Sequence, residues 1–95
     1  MALTTVRKPV TDTNSATQRE KIFQVVLHND DWNTADHVVR CLMQVFGHEK
    51  VLAVKIMMEA HEKGMAVAEV EAETPARMHR DQLQSFGLSA TVESL

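Results

Sequence analysis

The sequence predicts an α+β domain: a three-stranded, mostly antiparallel sheet packed against three helices in the order β-α-α-β-α-β. Three observations carry that reading. A β-branched and aromatic run, Ile22-Phe23-Gln24-Val25-Val26-Leu27, precedes two segments whose apolar residues recur with helical period. Two later strand-like segments are separated by one more helical segment. Gly47, Gly64 and Gly87 stand at the joints and leave only short connections. Layers built in this order put helices on a sheet, and 95 residues with 44% apolar content suit one compact domain with a modest core.

Residues 1–19 have no period and few large apolar groups, so they cannot bury enough surface to offset the entropy of ordering. A disordered N-terminal extension is therefore expected over 1–20, and the folded domain over 21–95. The first strand covers about Lys21–Leu27. It is apolar on both faces, which suggests coverage from both sides. The first helix starts at Asn33 or Thr34, either able to cap free amides, with Asp36 in the positive first turn. Val38, Cys41, Leu42 and Val45 form its stripe and Gly47 ends it.

The second helix runs from about Glu49 to Lys63 and stops at Gly64. Apolar groups occupy more than half its circumference, so it is expected to be the central helix. Met65–Glu71 is strand-like, with alternation clear only in its second half. Thr74-Pro75 reads as cap and first-turn proline of a third helix that continues to Phe86. Leu88–Glu93 alternates as a last strand with one wet face.

Charge and composition exclude several function classes. The formal charge is −3, and residues 21–95 carry seven basic and eleven acidic groups, so the folded part is near −4. That balance, with no basic stripe, argues against nucleic acid and for a cationic partner. No apolar stretch is long enough for a signal or a membrane span. The single Cys41 has no disulfide partner and packs in a helical stripe, which fits a reducing, cytoplasmic setting.

The most informative stretch is Leu27-His28-Asn29-Asp30-Asp31-Trp32-Asn33-Thr34, an acceptor-rich loop between a strand end and a helix start. A donor-rich, cationic ligand would suit it. Calcium fails, because Asp36 stands where an EF-hand loop needs glycine and Leu42 where it needs a bidentate glutamate. Zinc fails too: the five histidines are scattered without a close helical pair and there is no second cysteine. No metal and no cofactor are expected. A purely local use also remains open, with Asn29 and Asp31 bonding the loop's own amides. An enzyme is not expected, since no nucleophile is arranged beside Asp30 and Asp31 and no catalytic residue can be named.

Val25-Val26-Leu27-His28-Asn29-Asp30-Asp31, followed by Met57-Met58-Glu59-Ala60-His61-Glu62-Lys63-Gly64, resembles ClpS, the adaptor family of the Clp protease, in its cyanobacterial and plastid type. The likeness runs from about Phe23 to Glu93 and includes the closing Gly87-Leu88-Ser89-Ala90-Thr91-Val92-Glu93. The resemblance implies a non-enzymatic module that binds N-degrons, proteins with a free α-amine and a bulky N-terminal residue (Leu, Phe, Tyr or Trp). It would deliver them to the N-terminal domain of a Clp AAA+ unfoldase, ClpC-like or ClpA-like. By the same resemblance Asn29, Asp31 and His61 hold the amine and Asp30 adds negative charge. Leu27, Asn33, Ala35, Val38, Met57, Ala60 and Leu88 line the pocket for the side chain.

Elementary chemistry agrees with those roles. An ammonium has three N–H donors, and a neutral His61 would complete three acceptors, so binding is expected to weaken as pH falls through the histidine range. Met57 and His61 lie at i and i+4 on one helical face. Three pocket positions depart from the family's usual pattern: Ala35 stands in place of a gating Met, Ala60 in place of Val and Asn33 in place of Thr. A wider cavity that tolerates β-branched N-terminal residues is expected from them. His79 stands where some relatives dock the unfoldase through a Lys. A monomer is expected. The competing reading is a Clp-binding regulator that steers substrate choice without reading N-termini.

Overall fold

The computed structural model describes residues 21–95, and the expected disordered extension 1–20 lies outside the described residues. Strand β1 spans Ile22–His28, helix α1 Ala35–Phe46, helix α2 Lys50–Lys63, strand β2 Met65–Ala72, helix α3 Glu73–Ser85 and strand β3 Ala90–Ser94. The order β-α-α-β-α-β is the expected one. The sheet is antiparallel throughout, with β1 central in the order β2-β1-β3.

Local chemistry sets the element ends. Thr34 caps α1, its hydroxyl accepting from the His37 amide at 3.1 Å, while Asp36 complements the helix dipole in the first turn. Gly47 and Gly64 end α1 and α2 in left-handed conformations, φ 74° and 92°, which a side chain would strain. The third helix opens earlier than expected. Its cap is Ala72, and Thr74 and Pro75 lie inside the first turn, where a missing amide proton costs nothing. The last strand begins at Ala90 rather than Leu88, because Leu88 N–H donates to Leu83 O and stays with the end of α3.

The core joins Phe23, Val25 and Leu27 of β1 to Ala66 and Ala68 of β2 and to Val39, Leu42, Ile56, Ala60, Ala76 and Leu83 of the helices. All three helices thus lie on one face of the sheet, and among the described residues no element supplies the coverage expected on the other face. Gln24 and His28 point the other way, bonding Glu93 and Thr91 across β3. Between them Val26 is 2% exposed although it lies outside the helix-covered core. It sits on the central strand, flanked by its cross-strand neighbours Val67 and Thr91.

Two further expectations change. The pairing Val25↔Glu69 then Val26↔Val67 leaves Ala68 as an extra residue, a bulge that interrupts alternation in the middle of β2. Alternation is therefore clear in its first half, Met65 to Ala68, and not in its second. Helix α2 is not central. It buries Ala53, Ile56 and Ala60, whereas Val51 is 80% and Met58 48% exposed, because no described element covers its outer side.

Candidate functional site

Two backbone bonds and one side-chain bond fix the acceptor-rich loop and its neighbours beside the end of α2. Asn29 N–H donates to Gly64 O at 3.0 Å, tying the loop to the residue that caps α2. His28 N–H donates to Ser89 O at 2.8 Å, fixing the strand end to the segment before β3. His37 Nε2 donates to Phe86 O at 2.9 Å, holding the start of α1 to the end of α3. The left-handed glycines make these approaches possible by turning the chain sharply at each helix end.

Asp30 organises the loop from within. Its Oδ1 accepts from the amides of Trp32 and Asn33, both at 3.0 Å, an Asx-type turn. The Asn33 amide group donates to both carboxylate oxygens and also to Gly87 O at 2.9 Å. Ser89 Oγ donates to Asp30 Oδ2 at 3.2 Å. Burial pushes the Asp30 carboxyl up, but the bonds from Asn33, Trp32 and Ser89 outweigh it and hold the group below its ordinary value of 3.8. The local use left open for Asn29 and Asp31 thus falls to Asp30 instead.

The consequence is a division of labour. Among the described residues, Asn29 and Asp31 make no side-chain hydrogen bond, and both are exposed. His61, in the last turn of α2, is likewise exposed and without a hydrogen-bond partner among the described residues.

These acceptors border a cavity of about 230 Å³ lined by Leu27, His28, Asn29, Asp30, Asp31, Asn33, Ala35, Val38, Met57, Ala60, His61 and Leu88. All eleven residues singled out from the sequence meet there. Leu27, Ala60 and Leu88 are buried, and Val38 and Met57 are half-buried, so an apolar interior opens past polar acceptors. The volume is below the roughly 300–1,000 Å³ of sites for drug-sized ligands and suits a single side chain.

One lining residue, His28, was not anticipated. The sequence signal for it was its place between Leu27 and Asn29 at the strand end. Its imidazole Nε2 meets Thr91 Oγ1 at 2.8 Å on the open face of the sheet. His79, far from the cavity, bonds Glu71 at 2.6 Å and packs edge-on to Phe46. Among the described residues no cluster of three or more His, Cys, Asp or Glu side chains could hold a metal ion, and no helix is long and apolar enough to cross a membrane.

The model of the family described as ATP-dependent Clp protease adaptor protein ClpS matches residues 18–91. A similar relative is the ATP-dependent Clp protease adapter protein ClpS of Synechococcus elongatus, 41% identical over 98% of this chain and 97% of its own length. The chloroplastic adapter CLPS1 of Arabidopsis thaliana is 44% identical over 75% of this chain, a match spanning 45% of that longer protein. Among solved structures, Agrobacterium tumefaciens ClpS2 bound to L-phenylalaninamide superposes with a TM-score of 0.78 at 29% identity. That match covers 81% of this chain and 100% of the other.

Proposed function

The chain belongs to the ClpS family of Clp protease adaptors, and from that premise we propose that it holds the first residue of N-degron proteins and delivers them to a Clp AAA+ unfoldase. The observation that carries the proposal is the set of three acceptors, Asn29, Asp31 and His61, without hydrogen-bond partners among the described residues at the mouth of an apolar cavity. They receive the α-ammonium of the ligand, and Asp30 adds charge from behind while keeping the loop in shape. The first side chain enters between Leu27, Val38, Met57, Ala60 and Leu88, with Asn33 and Ala35 at the rim. That ClpS2 binds L-phenylalaninamide supports this reading, since the ligand is an amine next to one bulky side chain.

Burying a Leu or Phe side chain contributes about 1.5–3 kcal/mol, and each charge-assisted hydrogen bond about 1.5–3 kcal/mol. Several kcal/mol of association entropy oppose them. Roughly micromolar affinity follows. The module acts by binding and has no catalytic step of its own; it works as a monomer in the cytoplasm. A ClpC-like N-terminal domain is a better-fitting partner than a ClpA-like one, because the similar relatives include cyanobacterial and chloroplastic adapters.

Fluorescence titration with Leu-, Phe- and Ser-initiated peptides, each free and N-acetylated, tests the proposal. Free Leu and Phe peptides are expected to bind and the acetylated forms to fail, since acetylation removes the charge and donors. Binding indifferent to acetylation would overturn it.

A further inference from the structure

Trp32 is the sole tryptophan of the chain and is 87% exposed, more than any other large apolar side chain among the described residues. An indole of this size is ordinarily buried, in a core or against a partner. Its two sequence neighbours, Asp31 and Asn33, both line the cavity, and Trp32 lies between them just outside the lining. Its backbone is also held: Trp32 N–H donates to Asp30 Oδ1 at 3.0 Å, and the same carboxylate takes the Asn33 amide and the Ser89 hydroxyl. The hydrogen bonds that fix the loop leave the indole itself in water.

An exposed tryptophan on a loop whose backbone is already ordered is the type of group that anchors a bound chain, because little backbone entropy is lost in using it. The cavity has room for one side chain, and the amine of a bound N-terminus is held by Asn29, Asp31 and His61. Any ligand longer than one residue must therefore leave across the rim. We propose that Trp32 is a specificity-determining contact for the second residue of the bound chain, favouring a long aliphatic or aromatic side chain there over glycine. The inference rests on the N-terminal recognition proposed above and names a preference at the position after it.

The test compares three ligands on the wild type, W32A and W32F: L-phenylalaninamide, Phe-Leu-Ser-Gly and Phe-Gly-Ser-Gly. In the wild type Phe-Leu-Ser-Gly should bind more tightly than either of the others. W32A should shrink its advantage over phenylalaninamide by roughly three- to tenfold, and W32F should keep most of it. Because the protein has a single tryptophan, its emission should shift to the blue with Phe-Leu-Ser-Gly and stay in place with phenylalaninamide. An advantage that survives W32A, or an emission shift shared equally by the one-residue ligand, would overturn the assignment of Trp32 alone. A wild type that binds none of the three would overturn the N-terminal reading, and this one with it.

Discussion

The loop Asn29–Thr34 and helix α2 meet at the cavity, and each contains a pair of identical neighbours that the fold puts to opposite uses. In the loop Asp30 is enclosed by hydrogen bonds from Trp32, Asn33 and Ser89, whereas Asp31 is exposed and has no such bond among the described residues. In the helix Met57 faces the cavity while Met58 is 48% exposed on the outer side. The helical step of 100° separates the two methionines by periodicity alone. The two aspartates are separated by loop geometry, which has no period. Residue type therefore says what chemistry is on hand, and direction decides which copy is used.

The largest expected effect separates the aspartates. Asp31→Ala should cost roughly ten- to a hundredfold in affinity for a Phe-initiated peptide, the loss of one charge-assisted hydrogen bond, with the melting temperature unchanged. Asp30→Ala should lower the melting temperature as well as the affinity, since four donor groups, on Trp32, Asn33 and Ser89, lose their acceptor at once. Titration and thermal melts on both variants check this; equal melting temperatures would erase the distinction between the two carboxylates.

Next in size is the methionine pair. Met57→Ala removes part of the cavity wall and should weaken binding by about 1–2 kcal/mol, part of the apolar contact made by the entering side chain. Met58→Ala should leave binding alone and change stability by no more than about 0.5 kcal/mol. A loss of affinity in Met58→Ala comparable with that in Met57→Ala would mean that the outer side of α2 takes part in recognition.

A smaller effect concerns shape. Ala60 is buried and lines the cavity, and Ala35, which is exposed, lines it too. The room they leave should let Ile- and Val-initiated peptides bind within about tenfold of Leu, a difference near 1.4 kcal/mol. Ala60→Val should widen that gap. Strict rejection of Ile and Val by the wild type would show that the cavity is no wider in effect than one with bulkier walls.

The smallest effect is on acid stability. Asp30 has a folded pKa below its ordinary 3.8, because hydrogen bonds to the charged form outweigh burial. Its contribution to stability is therefore fully present above about pH 3.8 and is lost as pH falls through the lowered folded value. Melts of the wild type and Asp30→Asn should differ most above pH 4 and draw together as pH falls below it. A gap that stays constant across this range would remove the ionised carboxylate from the account of the loop.

Much of the architecture was legible because its signals are local. The cap at Asn33 or Thr34, Gly47 and Gly64 as stops, the stripe of α1 and the order of six elements all follow from neighbours a few residues apart, and the structure takes Thr34. The cavity residues were legible through the resemblance, which joined the loop to the Met57–Gly64 turn; spacing alone left the loop's own amides as an equal claimant. The errors have a common source. Val26, the bulge at Ala68 and the bare outer side of α2 depend on which element lies beside which. Apolar composition around α2 looked the same whether the helix was covered or not.

By itself, the sequence determined the α+β order, the glycine stops of α1 and α2 and the set of chemical groups available near the loop. Only the tertiary structure decided that Asp30 is spent on the loop while Asp31 is left exposed, that the helices cover one face, and that Trp32 stands in water. The physical reason is the length of the deciding contacts. Ser89 reaches Asp30 across 59 residues, and Gly87 receives Asn33 across 54. Periodicity and capping end within a turn or two of helix, so bonds of that span come into being only when the layers pack.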